Sequence, residues 1–153
     1  MRPKRTIKIF AAGVIHALLL WPGAMTWANN DTQAEPLALQ KIMQDQGRYM
    51  QHITDNISRE NWQLVAKNAL LIADHPQPPL TEKMRILRFV GGDAGKYKNY
   101  DNKTYQAGQK LRQAAEHQDG PLVVSAFAML QQSCLACHQD FRKPFQEHFY
   151  EKR

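Results

Sequence analysis

The sequence predicts an all-α fold, an antiparallel four-helix bundle. Apolar residues recur at three- and four-residue steps over four long stretches between Pro36 and Phe141, the signature of helices with one buried face. The breaks between stretches are mostly short and hold proline or glycine, which favours antiparallel neighbours. No stretch alternates convincingly at the two-residue period of a strand. With 153 residues, 43% of them hydrophobic and 22% charged, the chain is long and apolar enough for one domain with a real core.

Residues 1–28 read as a secretory signal peptide, and residues 29–153 as the domain. Arg2, Lys4 and Arg5 lead into an apolar run from Ile9 to Leu20, Pro22-Gly23 breaks it, and Thr26-Trp27-Ala28 offers small residues for cleavage after Ala28. Retention as an uncleaved anchor is the alternative, although the run is short for a span and contains His16. The formal net charge of +6 overstates the basicity of the domain. Four of the 20 basic residues lie in the first eight positions, whereas no acid precedes Asp31, so the remainder is close to balance and nucleic-acid binding is not indicated. After cleavage no membrane span is expected.

The first helix is expected to start near Pro36 and to end near Asn56 or Ile57, with Leu39, Ile42, Met43, Tyr49, Met50, Ile53 and Ile57 as its stripe. Ser58 is the expected N-cap of the second, whose face is Trp62, Val65, Ala66, Ala69, Leu70, Ile72 and Ala73; His75-Pro76 stops it. A stiff linker, Pro76 to Pro79, opens a crossover. Within it Leu80–Val90 has helical spacing, Thr81 is a candidate cap, and Gly91-Gly92 a stop. Asp101 is expected to cap the third bundle helix, which runs to about His117 with Tyr105, Gly108, Leu111, Ala114 and Ala115 on its face; the small residues there invite a close neighbour. Asp119-Gly120-Pro121 starts the fourth, whose face carries Leu122, Val123, Ala126, Phe127, Leu130, Cys134, Cys137, His138 and Phe141, and Pro144 is expected to end or kink it.

Both cysteines of the chain fall in Cys134-Leu135-Ala136-Cys137-His138, on that last helix. Two cysteines are too few for a disulfide framework or a four-cysteine zinc site, and no His-x3–5-His pair completes a mixed one. A thioredoxin-like motif would need a strand–helix context. Cys-x-x-Cys-His is the attachment signature of a c-type haem. Positions i and i+3 share a helix face, so each thiol can form a thioether to one haem vinyl group, and the next residue, His138, can bind the iron. One covalent haem c is therefore the expected cofactor. On spacing alone, Met43 and Met50, seven residues apart on one face, are equal candidates for the iron's other side, or core filler.

A haem motif on the last helix of such a bundle resembles the cytochrome c′ superfamily. Cys134 to Arg142 looks like its C-terminal signature: the pentad, an aromatic residue three positions after the histidine, and a base at the fourth. Gln40 to Met50 resembles the low-spin, methionine-ligated branch. The resemblance implies that Met43 is the distal iron ligand, that Gly47 leaves room for the porphyrin edge, and that Arg142 sits at the haem edge near the proximal imidazole. Tyr49 is a further candidate haem contact. It also implies export to the periplasm, and dimerisation through the first two helices is common in the superfamily, so a homodimer is one expectation. The resemblance covers the first and last helices; the crossover does not align.

The expected function is single-electron transfer through a His138/Met43-ligated iron, with an unspecified redox partner protein and no residue acting as general acid or base. If Met43 is not bound, the expectation becomes a five-coordinate binder of nitric oxide or carbon monoxide. His52, His75, His117 and His148 read as surface or structural histidines, and Lys96, Lys98, Lys103 and Lys110 as solvated charges.

Overall fold

The computed structural model describes residues 37–150, and every element among them is helical. The expected signal peptide and the expected helix start at Pro36 lie outside the described residues. α1 spans Ala38–Ser58, α2 Trp62–Ala73, α3 Leu80–Val90, α4 Ala94–Glu116 and α5 Gly120–Phe149, with a 3₁₀ turn, Gly91–Asp93, between α3 and α4.

Four expected boundaries are displaced. Ser58 does not cap α2 but is the last residue of α1; Asn61 is the cap, its side chain accepting from the Leu64 amide. Thr81 does not cap α3, whose N-cap is Pro79. Asp101 starts nothing: α4 begins seven residues earlier at Ala94, so the end of the expected crossover is helix. Pro144 does not end α5, which runs five residues further to Phe149. Phe141, Phe145 and Phe149, one turn apart, are all buried there and hold the last turns despite the hydrogen bond that proline cannot donate. Asp119 caps α5 as expected, accepting from the Leu122 amide, with Pro121 in the first turn.

α2 packs along α1 and α4, and α4 packs along α5, whereas α1 and α5 meet at only a few positions. Thr104 donates to Ser133 (3.2 Å) and Tyr100 to Asp140 (2.5 Å), so α4 descends as α5 ascends. Gly108 lets α2 and α4 close up: a Cβ there would lie 3.0 Å from the Ala73 Cβ and 3.1 Å from the Ala69 carbonyl oxygen.

The interior forms two apolar clusters. One joins Ile53 of α1, Val65, Ala69 and Ile72 of α2, Leu111 and Ala114 of α4, and Val123, Ala126 and Leu130 of α5. The other joins Leu37 and Leu39, Ile86 and Val90 of α3, and Phe141, Phe145 and Phe149 of α5. Tyr97 stacks on Phe145 at 5.8 Å and meets Phe141 edge-on at 5.3 Å, which ties the start of α4 into the second cluster. No buried side-chain polar atom among the described residues lacks a partner.

Candidate functional site

The Cys-x-x-Cys-His segment sits at the seam between the two clusters. Both cysteines are half-buried free thiols; Cys134 packs against the first cluster and Cys137 against the second. Helical periodicity explains this. Cys134 follows Leu130 by four residues and Cys137 precedes Phe141 by four, so both fall on the buried stripe of α5. Leu135 points elsewhere and is 57% exposed.

Burial pushes the Cys134 thiol up, against an opposing hydrogen bond from Ser133. It pushes Cys137 up to about 11, helped by the charges of Cys134, Asp101 and Asp140. Both thiols are therefore neutral at pH 7. A dithiol redox motif works through a depressed thiol pKa, and neither environment provides one. His138 is exposed; partial desolvation, then the neighbouring Arg142 charge, holds its imidazole below the ordinary histidine value, in the neutral form that binds iron. Arg142, one turn beyond His138, is exposed and makes no ion pair among the described residues.

On α1 no residue between Ile42 and Ile53 is buried. Leu39 belongs to the second cluster and Ile53 to the first, and Tyr49 and Met50 are half-buried against the first. Met43 lies between and is 37% exposed. A Cβ at Gly47 would meet no atom within 4 Å. α1 thus carries a partly exposed thioether and, one turn on, a glycine with open space beside it.

This donor set fits a covalently attached haem. Two neutral thiols share an apolar stripe, each packed against an apolar cluster, and a largely uncharged imidazole follows.

Sequence reasoning missed a polar cluster beside the motif. The Asp140 carboxylate, two residues past His138, accepts from the Tyr100 hydroxyl and pairs with Lys96 at 2.8 Å. The Lys96 ammonium and then the Tyr100 hydroxyl hold its carboxyl below the usual range. Lys96 is thus paired rather than merely solvated. No local pattern signals a contact across 40 residues; only the extension of α4 back to Ala94 brings Tyr100 and Lys96 onto a helix facing α5. Two histidines also have definite partners. His75 bridges the Pro76 carbonyl (3.1 Å) and the Asp101 carboxylate (3.0 Å). The His148 ring stacks on Phe89 at 4.3 Å.

No family model, curated protein or solved structure matches the chain.

Proposed function

We propose that this chain is an exported monohaem c-type cytochrome that carries single electrons in the periplasm. One observation carries the proposal: Cys134 and Cys137 lie on the buried stripe of one helix, at the seam of two apolar clusters, with His138 next in line. In this reading α1, α2, α4 and α5 are the four helices of an antiparallel bundle, and α3 belongs to the crossover between its second and third members.

Cys134 and Cys137 would hold the haem through their thiols, His138 and Met43 of α1 would be the iron's protein ligands, and Met50 is the methionine that competes with Met43. The haem, when bound, supplies the one-electron Fe(III)/Fe(II) couple. The chain supplies the rest. Apolar packing around the thiols keeps water from one side of the site. A methionine thioether as the second iron ligand would favour the reduced form relative to a second histidine. Arg142 stands one turn from His138, where a guanidinium can pair with a carboxylate on the cofactor rim.

A second reading, a five-coordinate binder of nitric oxide or carbon monoxide, draws on the partial exposure of Met43 and the open space beside Gly47.

Covalent attachment is tested on denaturing gels of the exported protein stained for haem peroxidase activity. The wild type is expected to keep its haem, each single variant, Cys134→Ser or Cys137→Ser, to keep less, and the double variant to keep none. A double variant that retains haem on the gel overturns the proposal.

A further inference from the structure

We propose that α3 is a membrane-docking helix that lays this domain on an anionic lipid surface. The inference is independent of the cofactor. α3 has two apolar faces, and only one is used. Its inner face carries Ile86 and Val90, both buried in the second cluster, with Phe89 packed against that cluster and Glu82 buried beside α1. Its outer face carries Leu80, Met84 and Leu87, which are 75%, 52% and 37% exposed. At 100° per residue these three fall within an arc of about 60° on the side away from Glu82 and Phe89. No other described helix groups three large exposed apolar residues within so narrow an arc; the four of α5 form two pairs, Leu122 with Met129 and Val124 with Leu135, on roughly opposite sides of the helix.

The charge around the stripe is of one sign. Lys83 and Arg88 flank it, each about 40° outside its edge. Both are exposed, and neither forms an ion pair among the described residues. Arg85 lies over the Phe149 ring, and the only acid of the helix, Glu82, is on the inner face. An apolar stripe between two basic rims, with no acid on the same face, is the pattern of a helix lying in the plane of a bilayer interface. Leucine and methionine enter the acyl boundary, and lysine and arginine meet the phosphates.

The position of α3 favours lipid over an acidic protein. Through Glu82 the helix is fastened to the first amides of α1, at Ala38 and Leu39, so it lies where the chain enters the domain. The sequence ahead of that point holds four basic residues and the apolar run Ile9 to Leu20, a segment suited to a bilayer whether it is later cleaved or kept. The stripe therefore sits at the end of the domain that is within chain reach of a membrane during export.

The test uses the exported protein and vesicles of phosphatidylcholine with or without about one third phosphatidylglycerol. Two variants change only exposed side chains: L80S/M84S/L87S and K83E/R88E. Helical circular dichroism checks that both keep the fold. The wild type is expected to sediment at least about tenfold better with the anionic vesicles, and both variants to lose that preference. In M84W, lipids brominated on their acyl chains are expected to quench the emission of the new indole. That readout locates α3 itself in the bilayer even if the N-terminal segment also binds. Equal binding to neutral vesicles, binding unaffected by either variant, or an M84W indole that the lipid does not quench would each overturn the proposal. Retention on immobilised polyglutamate with no binding to vesicles overturns it in favour of an acidic protein partner.

Discussion

The Glu82 carboxylate accepts the Ala38 amide at 2.6 Å across 44 residues of sequence. Its other oxygen accepts the Leu39 amide at 2.8 Å. α1 has no capping side chain of its own at Leu37, so a residue of α3 supplies the cap from a distance. A carboxylate at the positive end of a helix dipole is favourable, and here both oxygens are used. Glu82→Ala would leave two helix amides without partners in a buried place. The expected cost is about 2 kcal/mol in urea unfolding, and Glu82→Gln, which keeps one acceptor, should lose less. Unchanged stability in the alanine variant would show that the cap is idle.

Gly108 sets the distance between α2 and α4. Its missing side chain is replaced by Ala73 and by the Ala69 carbonyl, both closer than most Cβ contacts come. The nearest polar atoms belong to backbone, which yields less than a side chain would. Gly108→Ala gains helix propensity but is expected to lose about 1–3 kcal/mol net as the two helices are forced apart. A variant as stable as the wild type in thermal unfolding would mean that α2 and α4 adjust freely.

His75 ties the linker after α2 to α4. Both of its partners, the Asp101 carboxylate and the Pro76 carbonyl, can only accept, so the doubly protonated ring suits both at once. The hydrogen bond to Asp101 raises its pKa above 6.5, burial opposes this, and the Pro76 bond adds to it. Because the folded value is the higher one, the tie contributes fully below pH 6.5 and is lost as pH rises through the folded value. Melting temperature should therefore fall over that interval more in the wild type than in His75→Gln. Parallel pH profiles for the two proteins would contradict the linkage.

Burial of the motif thiols has a chemical consequence before any cofactor is attached. With Cys137 pushed up to about 11, protein made without the export segment should react with iodoacetamide at pH 7 one to two orders of magnitude more slowly than a free thiol, roughly. Denaturant should abolish the protection. Rapid labelling of the folded chain would place the thiols in water and undo the seam described for α5.

The all-helical class and the buried stripes were legible because they rest on local periodicity. Val65, Ala69 and Ile72, or Val123, Ala126 and Leu130, are spaced for one helix face wherever that face ends up. The placement of Cys134 and Cys137 on the buried stripe of α5 was legible for the same reason. Caps and boundaries were less so. Ser58 and Asp101 have the chemistry of N-caps but lie inside helices, because Asn61 competes for the first role and the 3₁₀ turn after Gly91 lets α4 begin early. Gly91, at a φ of +51°, closes α3 as glycine should, but the chain resumes helix within three residues. What local pattern could not supply was the long-range polar contacts, Glu82 to Ala38 and Asp140 to Tyr100, since each depends on how the crossover folds back.

The relation between Met43 and His138 is the centre of the account, and it is tested most directly by the absorption spectrum of the reduced protein before and after carbon monoxide. A low-spin spectrum that carbon monoxide leaves in place is predicted, turning high-spin and gas-sensitive in Met43→Ala but not in Met50→Ala. A high-spin wild-type spectrum that shifts at once with the gas would contradict the electron-carrier reading, and conversion by Met50→Ala alone would give the distal position to Met50.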